Sequence, residues 1–315
     1  PKLVGILLFR VGKDNPTAVV DHRSHAVRIE HDAKGRASSV VYADAKGQLH
    51  RQKGRIIAIA GNAIETPRLL LNSSSTLFPH GLANGSGMVG KHYMRHTTGS
   101  VFAEFSDPVH FYRGTIMAGL ISDEVHFNPD RGFVGGYEME TISLGPSFMA
   151  AFFNPGAWGK DFTRVMDNYT HLAGMWLVGE DMPRESNRIT LSDNTKDRFG
   201  IPVANVHYDD HPNDIAMREH AFKQGSAVYE AVGALKTHRV PPYPSTHNMG
   251  TCRMSLREAD GVCNKHGQCH EVPNLFISDG SQFTTSGAEN PTLTIVSLAI
   301  RQADYIAEAL KAKAA

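Results

Sequence analysis

The first quarter of the chain contains two kinds of apolar pattern. Four short β-branched or alternating runs come first, at residues 17–21, 26–30, 38–42 and 48–52. Turn signals at residues 32–35 and 44–47 separate the last three runs, which predicts antiparallel hairpins. Residues 55–60 are instead an almost uninterrupted apolar run. Such a run is typical of a strand that is buried on both faces of a parallel sheet.

A turn and a helix follow this run. Gly61 comes directly after it, and Thr66 and Pro67 have the sequence of a helix start, with Thr as the N-cap and Pro at the first helical position. The order strand, glycine, helix predicts a β-turn-α unit in which a ligand can approach the carboxyl end of the strand. Ordinary turn chemistry is the alternative, because this turn lacks the Gly-x-Gly-x-x-Gly fingerprint of a dinucleotide site.

The middle of the chain, residues 88–243, has a different texture. Strand-like runs rich in aromatic residues and methionine lie between Gly, Pro and Asn, at residues 100–105, 115–121, 132–138, 170–180, 188–191 and 202–208. Because no helical pattern separates most of these runs, they predict a mostly antiparallel sheet with loops. Residues 214–235 have apolar positions at helical spacing, which predicts an amphipathic helix.

The last part of the chain returns to the first pattern. Residues 274–278 are a second buried-strand run, and it ends in Asp279 and Gly280. Asn290 and Pro291 then open a helix. Its apolar residues share one face: Leu293, Val296, Ile300, Ala303, Ala307 and Leu310. The whole pattern predicts an α/β chain, α+β overall.

Composition and charge exclude several classes of protein. The length of 315 residues suggests about two domains. Because 32 Lys and Arg balance 32 Asp and Glu, we expect no nucleic-acid partner. The apolar runs are far shorter than the ~20 residues that span a bilayer, so we expect no transmembrane segment. Three cysteines are too few for a disulfide-dense secreted domain, and they leave the compartment open.

Three loops carry residues that could perform chemistry. His247 lies between a Pro-rich stretch and a glycine, where an imidazole could act as a base near neutral pH. Asn290 stands at a helix start that favours an anion, although it could simply be an N-cap. Two cysteines and two histidines within residues 263–270 could bind zinc. We expect no metal there, because one short loop lacks the second ligand pair of a structural site.

Taken in order, five of these segments resemble the glucose-methanol-choline (GMC) family of flavin oxidoreductases. They are residues 56–71, 88–96, 187–191 with 200–203, 247–254, and 274–281 followed by 290–292. The sequence looks most similar to the bacterial sugar and polyol dehydrogenase branch, which includes gluconate and glucose dehydrogenases and pyranose-oxidase-like enzymes. The resemblance covers nearly the whole chain, and five ordered motifs are far more specific than any single one.

The resemblance implies an FAD cofactor and roles for particular residues. His247 stands where the family has its catalytic base, and Asn290 where it has a second His or Asn that hydrogen-bonds the substrate hydroxyl. The implied cofactor contacts are Val27, Ala60, Gly61, Asp279, Gly280, Pro291 and Thr292. The implied reaction is oxidation of a CH–OH group of a sugar or polyol, in which imidazole accepts the proton and flavin N5 the hydride.

The resemblance also implies a division of the chain. Residues 1–88 and 244–315 would belong to a Rossmann-like FAD-binding domain, and residues 89–243 to a substrate domain. The family's N-terminal Gly-x-Gly-x-x-Gly strand-turn-helix unit, which binds the ADP half of FAD, does not match any part of this sequence. We therefore expect an N-terminal FAD-binding segment or a separate chain to complete the site.

Several alternatives remain at this stage. A dehydrogenase is expected rather than an oxidase, with a cytochrome or a quinone as candidate electron acceptor. A non-catalytic subunit that kept the fold but no longer binds FAD alone is a second hypothesis. Zinc-dependent alcohol oxidation is a third, and its ligands would be Cys263, His266, Cys269 and His270.

Overall fold

The computed structural model describes residues 6–8, 19–21, 23–152, 158–240, 242 and 245–314. The strands are β1 (Ile6–Leu8), β2 (Val19–Asp21), β3 (His25–His31), β4 (Ala37–Ala43), β5 (Leu49–Lys53), β6 (Ile57–Ile59), β7 (Thr97–Glu104), β8 (Leu120–Ile121), β9 (Tyr137–Thr141), β10 (Leu172–Gly179), β11 (Arg188–Lys196), β12 (Pro202–His207), β13 (Lys236–Val240) and β14 (Leu275–Ile277). The helices are α1 (Asn62–Asn72), α2 (Pro146–Phe152), α3 (Gly159–Asp167), α4 (Pro212–Ala231) and α5 (Thr292–Ala314). Within these residues, no helix has the length and apolar character needed to cross a membrane.

The predicted hairpins near the start of the chain are present. Strands β3, β4 and β5 form an antiparallel sheet, and β1 pairs with β2. Residues 17 and 18 of the first predicted strand lie outside the described residues. In β3 the register shifts between Ala26 and Arg28, so Val27 is the extra residue of a β-bulge. A bulge leaves that residue outside the regular ladder of hydrogen bonds.

The two apolar runs pair with each other, as a parallel sheet requires. Strand β6 lies parallel to β14, with Ile57 opposite Leu275 and Ile59 opposite Ile277. All three residues of β14 are buried, as predicted. The expectation of burial on both faces is wrong for β6, because Ala58 between the two buried isoleucines is exposed. The exposure is limited to Ala58, because its partner Phe276 on β14 is buried.

Helix α1 begins earlier than predicted. The side chain of Asn62 accepts hydrogen bonds from the N–H groups of Ile64 (2.8 Å) and Glu65 (3.1 Å). These bonds satisfy the free donors of the first turn, which is the function of an N-cap side chain. Thr66 and Pro67 therefore lie inside the helix, and the prediction that they start it is wrong.

A contact from a distant segment allows proline inside α1. Pro67 has no N–H group, so the carbonyl oxygen of Ala63, four residues earlier, loses its helical donor. The hydroxyl group of Thr251 donates to that oxygen at 2.9 Å. This bond links the helix to the loop that contains His247.

Five antiparallel strands form the largest sheet, in the order β13-β7-β10-β9-β8. This arrangement confirms the prediction of a mostly antiparallel sheet. Helix α4 covers one face, where Met217 and Phe222 pack with Met139 and Leu177. Because side chains alternate along a strand, every second residue of β9, β10 and β7 points to the opposite face, where these residues lie beside each other across the strands. These residues include Glu138, Glu140, Trp176 and Ser100.

Two details of the middle region differ from prediction. Only Leu120–Ile121 of residues 115–121 is strand, and residues 132–136 turn before β9 starts at Tyr137. Gly132 and Gly135 have positive φ values of 77° and 86°, which suit turns and not extended strand. In addition, α2 and α3 lie between β9 and β10, where loops were expected.

A Gly-x-Gly-x-x-Gly string occurs at residues 85–90, but in the wrong setting for a dinucleotide site. The segment is a series of turns that leads into β7, whereas the fingerprint joins a strand to a helix. Gly90 has a φ of 90°, and a Cβ there would lie 2.3 Å from the carbonyl oxygen of Ile189. This glycine allows close approach of β11 to the turn.

Buried apolar residues form separate cores. One combines residues from the first quarter of the chain, such as Leu70 and Leu82, with Val272 and Leu275 from the last quarter. Two others contain only residues from the middle of the chain. The domain division at residues 1–88, 89–243 and 244–315 stays a prediction, and residues 243 and 244 at one boundary lie outside the described residues.

Asn274 joins the first core across the chain. Its Oδ1 accepts from the N–H group of Ala37 at 3.0 Å. Its Nδ2 donates to the carbonyl oxygens of Ala37 (2.7 Å) and Arg55 (3.0 Å). The side chain is 5% exposed, so water cannot replace these bonds.

We predict that Asn274→Ala lowers the free energy of unfolding by about 2–4 kcal/mol, because three backbone groups lose their partner in a buried place. Chemical denaturation followed by circular dichroism measures the loss. Asn194→Ala is the matched control, since Asn194 is exposed on β11. Equal losses in the two variants would contradict the role given to Asn274.

Candidate active site

Two backbone hydrogen bonds join the segment before β7 to the His247 loop (residues 245–254). Met94 and Met249 each donate an N–H group to the other's carbonyl oxygen at 2.9 Å. This is one antiparallel residue pair, so residues two positions further along lie opposite each other on the same face. His96 and His247 occupy those positions, and their Nδ1 atoms are 3.0 Å apart.

The two imidazole rings are neutral near neutral pH. The ring planes meet at 87°, with centroids 5.0 Å apart. His96 is 1% exposed, and burial lowers its pKa to about 3. His247 is half-buried; burial lowers its pKa below the usual value, and the negative charge of Glu140 opposes that shift. An uncharged imidazole has a free lone pair and can accept a proton.

Asp181 holds the backbone on both sides of His96. Its carboxylate accepts from the N–H group of Arg95 at 2.7 Å and from the Thr97 hydroxyl at 3.0 Å. The Tyr208 hydroxyl donates to the same group at 3.2 Å. His96 itself has a φ of 56°, a left-handed conformation that costs energy for a residue with a side chain. The bonds to Asp181 stabilise that conformation.

Asn290 is hydrogen-bonded to the face of the large sheet opposite α4. Its Nδ2 donates to Oε1 of Glu140 at 2.6 Å. Glu140 and Glu138 project from the same face of β9, and they are 3% and 1% exposed. Burial, together with the neighbouring carboxyl groups of Glu140 and Glu289, raises the pKa of Glu138 to about 8. Glu138 is therefore mainly protonated near neutral pH.

Most of these supporting residues lie outside the motifs that stand out in the sequence. Glu138, Glu140 and Asp181 belong to none of them, and His96 is only the last residue of one motif. A signal for the glutamates was available in the alternation of Tyr137, Glu138, Met139 and Glu140, although the predicted strand at residues 132–138 ends before Glu140. The contact between His96 and His247 had no signal in sequence spacing, since 151 positions separate them.

Asp279 joins the ends of the two parallel strands. Its Oδ2 accepts from the Asn62 N–H group at 2.9 Å and from the Thr66 hydroxyl at 2.5 Å. Its Oδ1 accepts from the Ser281 N–H group at 2.8 Å. These contacts are all with the chain itself. A ligand bound at the ends of these strands would therefore contact the turn whose conformation the hydrogen bonds of Asp279 stabilise.

Gly280 lies between the His247 loop and α5. Its carbonyl oxygen accepts from the Gly250 N–H group at 3.1 Å. A Cβ at position 280 would lie 3.0 Å from the carbonyl oxygen of Asn248 and 3.4 Å from the side chain of Ile295. Glycine thus allows the loop and the helix to approach the same turn.

Pro291 and Thr292 form the start of α5. The carbonyl oxygen of buried Pro291 accepts from the Ile295 N–H group at 3.0 Å, which is the first helical bond. Thr292 is the first residue of the helix and is exposed. Free N–H groups in this first turn favour a negatively charged ligand group. The structure therefore brings the predicted residues at 247, 280 and 290–292 into one region.

The other predicted cofactor residues line a cavity of about 280 Å³. Val27, Ala60 and Gly61 form part of its wall, with Ile29, Ile59 and other apolar side chains. The volume is near the lower end of the ~300–1,000 Å³ range of small-molecule sites. The bulge at Val27 leaves a backbone position free of regular strand pairing beside this cavity.

The proposed zinc ligands have other partners. His266 stacks on Tyr305 with centroids 4.2 Å apart, and His270 bonds to Ser255 at 3.0 Å. Cys263 and Cys269 are buried, and burial raises the pKa of both thiols, which disfavours the thiolate that zinc needs. Across the described residues, no group of three or more His, Cys, Asp or Glu side chains could hold a metal ion.

Known proteins place this arrangement in a family. Residues 183–299 match the family model described as GMC oxidoreductase. The chain is also 39% identical over 309 residues to 2-methyl-1,2-propanediol dehydrogenase of Mycolicibacterium austroafricanum, covering 92% of this chain and 55% of that protein. The chain belongs to the GMC oxidoreductase family. This finding confirms the resemblance and the predicted fold class.

Other GMC proteins give the same picture. The large subunit of fructose dehydrogenase of Gluconobacter japonicus is 30% identical over 290 residues, which are 90% of this chain and 53% of that subunit. Formate oxidase has the same fold, with a TM-score of 0.67 at 14% identity over 91% of this chain and 60% of that chain. The chain thus spans about half the length of the curated relatives it matches.

We predict that Gly250→Ala destabilises the protein more than Gly47→Ala does. Both glycines have positive φ values, 74° and 81°, so alanine is strained at either position by about 1–2 kcal/mol. A Cβ at 250 would also lie 2.1 Å from the carbonyl oxygen of His92, whereas nothing lies within 4 Å at Gly47. Denaturation measures both losses, and similar values would contradict a close contact at Gly250.

We predict that Glu140→Gln lowers the pKa of His247. The substituted amide keeps an oxygen that can accept from Asn290, but it removes the negative charge that raises this pKa. NMR titration of ring signals in protein with labelled histidine measures the shift. An unchanged or raised pKa for His247 would show that Glu140 does not act on this ring. Glu65→Gln, on α1, serves as the control.

Proposed function

We propose that this chain carries the substrate site and part of the FAD site of an oxidoreductase that oxidises a CH–OH group of a sugar or polyol. The observation that supports this most directly is the meeting of His247 and Asn290 with the turn at Gly280 and the start of α5. A proton acceptor, a hydrogen-bonding amide and an anion-favouring helix start are what alcohol oxidation with a flavin requires.

His247 is the proposed base. Its lowered pKa keeps the ring uncharged near neutral pH, so it can accept the proton of a substrate hydroxyl. Once protonated, the ring carries a positive charge, and the negative charge of Glu140 stabilises that form. Asn290 is the proposed second contact to the substrate hydroxyl, and its bond to Glu140 fixes the orientation of the amide.

FAD is the proposed cofactor, and the described residues fit part of it. The cavity beside Val27, Ala60 and Gly61 suits the adenine end, because its wall is mostly apolar and a bulged backbone position lies next to it. The turn at Gly280 and the first N–H groups of α5 would meet negatively charged parts nearer the flavin. When bound, the flavin supplies the hydride acceptor.

A further N-terminal FAD-binding segment or chain is proposed to complete the cofactor site. Leu293, Val296 and Ile300 lie along one face of α5 and are 80%, 49% and 61% exposed. Ala58 of β6 is also exposed and lies in the wall of the cavity beside Val27, Ala60 and Gly61. A partner that covers it would also enclose FAD. The coverage of only about half of each curated relative supports the same proposal.

The proposed substrate class is a sugar or polyol, and a dehydrogenase reaction is proposed over an oxidase reaction. The relative in Mycolicibacterium is named as the dehydrogenase of a diol, and the relative in Gluconobacter as a subunit of the dehydrogenase of a sugar. These names support both the substrate class and the dehydrogenase reaction. A quinone or a cytochrome is the proposed electron acceptor.

We predict that His247→Ala, in the FAD-loaded holoenzyme, slows flavin reduction by about 10²–10⁴-fold, the usual contribution of a general base. Anaerobic stopped-flow absorbance measures the rate with 2-methyl-1,2-propanediol, fructose and gluconate as substrates. His207→Ala is the control, because His207 is exposed on β12. A wild-type rate in His247→Ala would refute the assignment of the base. Protein that purifies colourless, and to which no upstream segment or partner restores FAD, would instead favour the non-catalytic subunit.

A further inference from the structure

We propose that His96 is a positioning residue that fixes the tautomer of His247, so that Nδ1 of His247 carries the proton and Nε2 is free to act as the base. This inference rests on the proposed function of His247. The geometry that supports it is the 3.0 Å contact between the two Nδ1 atoms, made by a buried ring whose two neighbouring residues, Arg95 and Thr97, are both hydrogen-bonded to Asp181.

The contact admits only two arrangements while both rings are neutral. A hydrogen bond between two Nδ1 atoms needs one donor and one acceptor. If His96 donates, then His247 has a bare Nδ1 and a proton on Nε2, and Nε2 cannot accept a proton from a substrate. If His247 donates, its Nε2 carries the lone pair. Only the second arrangement gives a base at Nε2.

The surroundings of His96 favour the second arrangement. The carbonyl group of Gly287 acts on the His96 ring and favours a proton there. Nε2 of His96 is buried, and no hydrogen bond within the described residues satisfies it. A proton on this Nε2, directed towards the carbonyl, leaves Nδ1 of His96 as an acceptor. That acceptor faces Nδ1 of His247.

His96 also stays neutral when the base is used. Burial holds its pKa far below that of an ordinary histidine, and a charge on the adjacent His247 ring lowers it further. The charged group that faces His247 is Glu140 on β9, which favours protonation of His247 and not of His96. The proton therefore stays on His247 and is not transferred to His96.

The proton step is simple to balance. The O–H bond of the substrate breaks, and a new N–H bond forms at Nε2 of His247. The oxygen keeps the electron pair and gains a negative charge, while the imidazole gains a positive charge. Its Nδ1–H group continues to donate to His96, so no second proton has to move.

Nitrogen NMR of the wild-type holoenzyme, with ¹⁵N-labelled histidine, tests the tautomer directly. We expect Nδ1 of His247 to carry hydrogen and Nε2 to be unprotonated above the pKa of the ring. Signals are assigned by their loss in His247→Gln. The opposite tautomer, with hydrogen on Nε2, would overturn the proposal without any measurement of activity.

Two variants test the same point through kinetics. His96→Phe keeps a ring but removes the acceptor, and we expect flavin reduction to slow by roughly 10–100-fold, as for loss of an orienting partner of a functional histidine. His96→Asn places an amide oxygen near the position of Nδ1 and should recover much of that loss. The substrate KM should change little in both variants. Equal rates in His96→Phe and wild type would overturn the proposal.

Failure of this inference and failure of the proposed function give different results. If His247→Ala reduces flavin at the wild-type rate, then His247 is not the base and the proposed function is wrong in that respect. If His247→Ala is slow but His96→Phe is not, only the role of His96 is refuted. Circular dichroism of each variant shows whether it is folded.

Discussion

The pair of hydrogen bonds between Met94 and Met249 is the constraint on which the rest of the candidate site depends. It sets the register between two segments that come from different parts of the chain. With that register, His96 must lie opposite His247. A shift of this register by one residue would separate the two rings, because the pairing of Met94 with Met249 determines which residues face each other. Gly250 allows the approach, since any larger residue would contact the backbone at His92.

Charge in this region is limited by burial. Two buried glutamates and two buried or half-buried histidines lie around one site, yet most of them are neutral near neutral pH. Glu138 keeps its proton because ionised carboxyl groups side by side in a dry place repel one another. The site can therefore respond strongly to a single new charge, and a proton taken from a hydroxyl creates such a charge at His247.

Much of the fold could be predicted from local pattern, and the site only in part. The two apolar runs as strands and the antiparallel middle sheet followed from alternation and run length, whereas the pairing of these two runs with each other is visible only in the structure. The start of α1 could not be predicted in this way. The Thr66 hydroxyl donates to Asp279, and the Thr251 hydroxyl donates to the carbonyl oxygen that Pro67 leaves without a helical donor. Both contacts join residues far apart in sequence, and no local rule contains them.

The same limit applies to the candidate site. His247 and Asn290 were found through an ordered set of motifs, whereas Glu140 and His96 act through contacts that appear only when strands pair. Asp181 is a further case, since its partners come from β7 and from the segment after β12. Residues that would touch a ligand therefore carry a stronger sequence signal here than the residues that orient them.

The bonds of Asn274 have a consequence for synthesis of the chain on the ribosome. Its partner Ala37 is made 237 positions earlier, and β6 is likewise made long before its partner strand β14. The first core therefore stays incomplete until nearly the whole chain has emerged, while the five-stranded sheet already has all its strands when β13 is made. Contacts of such long range slow folding and leave apolar strands exposed in the meantime. The five-stranded sheet can fold first, and the strands of the first core that await β14 are a part of the chain that a chaperone would protect.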